Sequence, residues 1–168
     1  ESGRGEYGVT TTIEMLLDDG HSIDGAPYEG TWLDVGRPWE LLKANELALA
    51  ELDASEGVDE LDDSDESDAA VAGTVEDGVH LNGPVVVEAG ARLQSGAYVE
   101  GPAMIREGAT VGPNAYIRGA TVVGPDVHVG HGVEVKNSVL MADVSVGHLS
   151  YVGDSVLGRG VNFGAGTN

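Results

Sequence analysis

The sequence predicts a mostly β protein, a parallel β-helix of hexapeptide repeats preceded by a short α/β segment. Three observations carry that reading. An apolar position recurs every six residues through the second half, an acidic stretch divides the chain, and a helix, strand and helix pattern precedes that stretch.

In chain order, "TTTIEMLLDDG" predicts a helix with threonines at its start and Gly20 just past its end. "YEGTWLDVG" alternates well enough for a short strand. "RPWELLKANELALAELDA" predicts a second helix, with Pro38 in its first turn, where a missing N–H costs nothing. Residues 51–70, "ELDASEGVDELDDSDESDAA", are dense in carboxylates and poor in large apolar side chains, which marks a solvated linker.

Beyond it the period changes. Val75, Leu81, Val87, Leu93, Val99, Ile105, Val111, Ile117, Val123, Val129, Val135 and Met141 fall six residues apart, with a small or β-branched residue two places before nearly every one. Neither a helix nor a plain sheet repeats at six. Three short strands folded into a triangular coil of about 18 residues do, with the aliphatic position inside and Gly, Pro, Asn and Asp at the corners. After Met141 the count slips: Val146, Val152, Leu157 and Phe163 follow, and the steps 141 to 146 and 152 to 157 are five residues long. Two dropped residues redirect the side chains near them, among which are His148, Tyr151 and Asp154.

Composition narrows the function. Twenty-nine acidic against eight basic residues give a net charge of −21, which repels nucleic acid and anionic membranes. The acidic, lysine-poor surface is similar to that of proteins from salt-loving microorganisms. There is no cysteine, so disulfides and thiolate chemistry are excluded, and no apolar run approaches the roughly 20 residues of a membrane span. A cytoplasmic protein is expected. The chain opens at Glu1 without a methionine and its final "NFGAGTN" stops inside a repeat, so a fragment of a longer protein is also expected.

A solenoid is a scaffold, and function has to come from residues that it does not require. Arg118 and Lys136 are one coil apart and stack across neighbouring strands, where like charges repel unless an anion sits between them. That pattern suits a phosphate seat, the arginine offering a fork and the lysine a point charge. The alternative is that both pair with nearby acids such as Glu100, Glu134 or Asp154. Histidine is the side chain type suited to taking up a proton at cellular pH, which makes His148 a candidate base, although a single histidine on a turn is commonly a surface residue.

The stretch "GVEVKNSVLM…GHLSYVGDSVLGRGVNFGAGT", residues 132–167, resembles the acetyltransferase half of the bifunctional glucosamine-1-phosphate N-acetyltransferase and N-acetylglucosamine-1-phosphate uridylyltransferase family. "RGEYGVTTTIEMLL" and "WLDVGRPWELLKANELAL" resemble the end of the nucleotidylyltransferase domain of the same enzymes, in the same order. The resemblance implies a left-handed helix and a homotrimer. It implies that residues 1–54 are the C-terminal part of a sugar nucleotidylyltransferase domain, 55–70 an acidic linker, and 71–168 an acetyltransferase domain truncated at its C-terminus.

It further implies that His148 is the general base for attack of a sugar amine on acetyl-CoA, that Tyr151 contacts the sugar, that Arg118 and Lys136 hold its phosphate, and that Asn162 helps bind the amino sugar. Asp34 matches the aspartate that holds Mg²⁺ during nucleotidyl transfer from UTP, with Trp32 or Glu6 beside it. The Gly-rich nucleotide loop and the metal's partner carboxylate of that family are absent, and Gly8 and Thr11 stand where relatives carry acids. The chain alone is therefore expected to lack nucleotidyl transfer, and acetyl transfer with it.

Three rival readings fit the sequence less well. A β-helix tail that only oligomerises or senses regulators needs no "GHLSYVGD" beside a basic pair. A γ-type carbonic anhydrase needs two histidines five apart, whereas His128 and His131 are three apart. A purely structural solenoid leaves "WLDVGRPW" without a purpose.

Overall fold

The computed structural model describes residues 8–52 and 69–168, so most of the acidic segment, residues 53–68, and Glu6 lie outside the described residues. The chain divides into two compact units, Glu1–Trp32 and Leu33–Asn168.

The first unit contains one helix, α1 (Val9–Asp18). Its end follows from Gly20, whose φ of 82° is open to glycine at little steric cost. The Gly20 N–H donates to Leu17 O and the His21 N–H to Leu16 O, both at 3.0 Å, closing the last turn in the Schellman manner. Met15 and Leu17 of this helix are exposed. Residues 28–36, expected as a strand, form none. An alternating pattern yields a strand only where a neighbour takes up its N–H and C=O groups, and all nine residues lie open to solvent instead.

The second unit is a three-sided parallel β-helix with a helix, α2 (Pro38–Ala50), on one side. Its first coils hold β1 (Ala69–Val71), β2 (Thr74–Val75), β3 (His80–Asn82), β4 (Val85–Val87), β5 (Arg92–Leu93) and β6 (Tyr98–Glu100). The middle coils hold β7 (Ala103–Ile105), β8 (Thr110–Val111), β9 (Tyr116–Arg118), β10 (Thr121–Val123), β11 (His128–His131) and β12 (Glu134–Lys136). The last hold β13 (Val139–Leu140), β14 (Ser145–His148), β15 (Tyr151–Gly153), β16 (Val156–Leu157) and β17 (Asn162–Phe163). Every third strand shares a sheet: β1, β4, β7, β10, β13 and β16 form the first, β2 to β17 the second, and β3 to β15 the third.

The six-residue positions fill the interior. Val87, Leu93, Val99, Ile105, Val111, Ile117, Val123, Val129 and Val135 are fully buried. The next interior residue is Leu140, not Met141, which is 40% exposed. The first dropped residue therefore lies between Val135 and Leu140, one repeat earlier than the sequence count placed it, and the second lies between Val152 and Leu157. In the ladder Val123 faces Leu140, and Leu140 faces Leu157. The step from Val146 to Val152, which carries His148 and Tyr151, has its full six residues.

A polar seam makes the short corners possible. Asn137 and Asp154 turn them with φ of 44° and 49°. The buried Ser138 hydroxyl donates to Lys136 O at 2.7 Å and accepts the Ser155 N–H at 3.1 Å. Ser155 Oγ repeats the pattern by donating to Gly153 O at 2.6 Å. Thr121 Oγ1 begins the seam one coil earlier, donating to Arg118 O at 2.8 Å. Each hydroxyl satisfies backbone groups that the shortened corner leaves inside.

The first sheet is apolar on both faces. Val86, Met104, Val122, Val139 and Val156 occupy the outward column, successive partners in the ladder. Helix α2 covers part of this stripe: Asn45 Nδ2 donates to Ala120 O at 2.8 Å, Leu49 is buried, and Val35, Pro38 and Leu41 line an open groove with Val156. Pro38 stands at the helix start as the sequence requires, and the Gly36 N–H is taken up by Glu40 Oε2 at 2.8 Å. The compact unit thus begins at Leu33 and includes α2, whereas the sequence grouped α2 with the residues before the linker.

Candidate functional site

On the third sheet each strand points one residue inward and two outward. Ile117, Val135 and Val152 go in. Tyr116, Glu134 and Tyr151 form one outward column, and Arg118, Lys136 and Gly153 the other. Arg118 and Lys136 are direct ladder partners, as are Glu134 and Tyr151.

Both cations have acid partners. Arg118 Nε donates to Glu134 Oε1 at 2.7 Å, and Lys136 Nζ donates to Asp154 Oδ2 at 3.1 Å. The hydrogen bond to Glu134 holds the Arg118 guanidinium above its ordinary pKa, against partial desolvation, with smaller contributions from the Glu134 charge and from Tyr116 and Tyr151. Asp154 accepts from Asn137 Nδ2 at 2.7 Å as well, and this bond, then that from Lys136, holds its carboxyl below the ordinary carboxylate value. Glu100 is engaged elsewhere, accepting the Tyr116 hydroxyl, which raises the Tyr116 phenol pKa. The structure shows the acid-pair alternative: the two cations are adjacent in the ladder, and each is held by one carboxylate.

His148 lies on the second sheet, exposed at the end of β14. Leu149, with φ of 49°, turns the chain toward Tyr151. The largely buried Ser150 lies in that corner, its Oγ 3.1 Å from His148 O and 3.2 Å from Gly164 O, which pins the backbone behind the imidazole. His148 and Tyr151 thus flank one corner, the imidazole on the second sheet and the phenol on the third beside Glu134. Asn162 is exposed on the neighbouring strand β17, opposite Ser145 and so level with the start of β14, whereas His148 stands at its end. Arg118, Lys136 and Tyr151 share one face; His148 and Asn162 share the next.

Between the column of His128, Ser145 and Asn162 and that of His131 and His148 runs a strip of glycines, of which Gly112 and Gly130 are buried, Gly147 is half-buried and Gly164 is exposed. A Cβ on Gly130 would come within 1.9 Å of Gly147 O, whereas one on Gly147 would meet nothing within 4 Å. Sequence reasoning missed this floor. Its signal was a glycine directly after the interior residue in four coils: Val111-Gly112, Val129-Gly130, Val146-Gly147 and Phe163-Gly164.

Asp34 is exposed in an irregular segment, and among the described residues no group of three His, Cys, Asp or Glu could hold a metal ion. The described residues therefore do not make a fitting Mg²⁺ site. Trp32 is 78% exposed rather than buried in a core. No helix among the described residues is long and apolar enough to cross a membrane.

Residues 99–168 match the family described as the GMPPB C-terminal domain. A bifunctional sugar-1-phosphate nucleotidylyltransferase/acetyltransferase of Sulfurisphaera tokodaii is 41% identical over 99% of this chain and 38% of its own length. The bifunctional protein GlmU of Methanocaldococcus jannaschii is 40% identical over 99% of this chain and 37% of its own. The low-salt glycan biosynthesis nucleotidyltransferase Agl11 of Haloferax volcanii is 38% identical over 98% of this chain and 42% of its own. The chain thus spans about two fifths of the length of these curated relatives. Nearly the whole chain is thus matched to a part of such proteins, and over that part it is similar to bifunctional sugar-1-phosphate nucleotidylyltransferases/acetyltransferases.

Proposed function

We propose that this chain carries the acetyl-transfer site of an enzyme that acetylates the amine of an amino-sugar 1-phosphate, glucosamine 1-phosphate in the first instance, using acetyl-CoA. The observation that carries the reading is the pairing of Arg118 with Lys136 in the ladder, on the same sheet as Tyr151 and one corner away from His148. In the full-length enzyme, a cytoplasmic homotrimer, uridylyl transfer from UTP would follow and yield a UDP-N-acetylhexosamine. Asp34 would contribute to Mg²⁺ there only with carboxylates from outside the described residues.

The chemistry follows from the side chains. The phosphate displaces Glu134 and Asp154 from Arg118 and Lys136 and meets two fixed cations. Tyr151 and Asn162 orient the sugar. His148 takes a proton from the amine as its nitrogen attacks the thioester carbon; the C–S bond then breaks, and the imidazolium returns that proton to the departing sulfur so that CoA leaves as the thiol. The solvent-facing part of the glycine strip, Gly147 and Gly164, gives the extended arm of the co-substrate a surface free of side chains.

A second reading is a nucleotidyltransferase whose β-helix only oligomerises or responds to regulators. The acid pairs on both cations favour it. Release of CoA thiol from acetyl-CoA and glucosamine 1-phosphate, measured on the full-length enzyme, separates the two. This chain contributes no cysteine to the thiol background. Thiol release that disappears in His148→Ala supports the first reading. An unchanged rate in that variant removes His148 as the base, and no thiol with any amino-sugar phosphate favours the second reading.

A further inference from the structure

His131 and His148 are direct partners in the parallel ladder between β11 and β14, both exposed at the strand ends. Nothing in the acetyl-transfer reading uses His131. Adjacent strands set the two α-carbons about 4.8 Å apart. Two imidazole nitrogens on one tetrahedral ion are about 3.3 Å apart, from a metal–nitrogen length of about 2.0 Å. Rotation about the side-chain bonds of two neighbouring histidines closes that difference.

Three surrounding features suit a cation. The glycines before each histidine, Gly130 and Gly147, bring no side chain that would crowd the pair. The Asn114 side-chain amide lies 3.4 Å from His131 Nδ1, so Nε2 is the ring atom left to face a ligand. With a metal on Nε2, the Nδ1–H donates to the amide oxygen after the Asn114 amide turns over, the outer contact that metal-bound histidines ordinarily make. The net charge of −21 raises the local concentration of divalent cations.

We propose that His131 and His148 together chelate one late first-row divalent cation, of the Zn²⁺, Ni²⁺ or Cu²⁺ class, with Asn114 as the outer partner of His131. Water completes the coordination. Bound metal occupies the His148 ring nitrogen and so withdraws it from proton transfer; this consequence alone rests on the acetyl-transfer reading.

Cu²⁺ is the most sensitive probe, because imidazole ligands bind it strongly and its electron spin couples to their nitrogens. The measurement adds one equivalent of Cu²⁺ to the protein in high salt, which suppresses loose attraction to surface carboxylates. A spectrum with two coordinated nitrogens is expected. His131→Asn and His148→Asn should each lose one nitrogen and weaken binding more than about tenfold, Asn114→Ala should weaken it by about tenfold, and His128→Asn should leave it unchanged. A spectrum with oxygen ligands only, or one that His131→Asn does not alter, overturns the site. Zn²⁺ should also slow CoA release in the wild-type enzyme. Two-nitrogen binding without such inhibition leaves the metal site standing and overturns His148 as the base.

Discussion

Arg118 and Lys136 face each other directly across β9 and β12, yet each is held by a different carboxylate, Glu134 for the arginine and Asp154 for the lysine. Two like charges at strand spacing are tolerated because each is neutralised locally. The same arrangement leaves a pair of cations that a single phosphate can bridge.

Replacing either cation should therefore act on the phosphorylated substrate more than on turnover. Arg118→Ala and Lys136→Ala are each expected to raise KM for the amino-sugar phosphate roughly tenfold or more, by loss of a charge-assisted contact. The KM for acetyl-CoA should stay within about twofold, because neither residue lies on the glycine strip. Steady-state kinetics with each substrate varied in turn checks this, and an equal effect on both KM values contradicts the phosphate assignment.

The glycine strip permits a cleaner separation of folding from binding. In Gly147→Ala the new methyl group meets no atom within 4 Å, so the melting temperature should match the wild type to within the usual surface-substitution range of about 0.5 kcal/mol. The methyl group nevertheless stands on the proposed acetyl-CoA floor, and KM for acetyl-CoA should rise at least about tenfold. Gly130→Ala drives a Cβ to 1.9 Å from Gly147 O and should instead destabilise the solenoid. Thermal unfolding of both variants, alongside acetyl-CoA kinetics of the first, tests the pair.

The serine seam carries the short corners. Ser138→Ala leaves the Ser155 N–H without its acceptor in a closed corner, and the expected cost is about 1–3 kcal/mol. Denaturant unfolding should show the lowered midpoint with an unchanged slope. Ser138→Thr retains the hydroxyl and should recover part of the loss, which removal of volume alone does not predict.

Asp154 links this region to pH. Its folded pKa lies below the ordinary value of 3.8 because Asn137 and Lys136 stabilise the carboxylate. The associated stability is present above pH 3.8 and is lost as pH falls through the lower, folded value. In melts taken across that acid window, the wild type should lose stability more steeply than Asp154→Asn. The side chain is exposed, so the difference is small and shrinks further in high salt.

The sequence by itself determined the solenoid, because a six-residue apolar period has few other structural solutions, and it determined where α2 starts, because Pro38 suits a first helical turn. It also marked Arg118, Lys136 and His148 as residues a scaffold does not need, while Tyr151 and Asn162 were singled out by the family resemblance. The glycine strip was legible as well, four glycines each directly after an interior residue, though it emerges only once the coils are stacked.

Tertiary structure decided the rest. Leu140 and Met141 are both apolar and adjacent, and only the serine-lined corner selects Leu140 for the interior. The pattern at residues 28–36 looked like a strand, but alternation states a preference and a hydrogen-bonding neighbour realises it. The partition of Arg118, Lys136 and Tyr151 onto one sheet and of His148 and Asn162 onto the next follows from where each corner turns. Ladder register, which pairs residues far apart in the chain, also brought His131 beside His148; a single repeat cannot express that relation, because it exists only between coils.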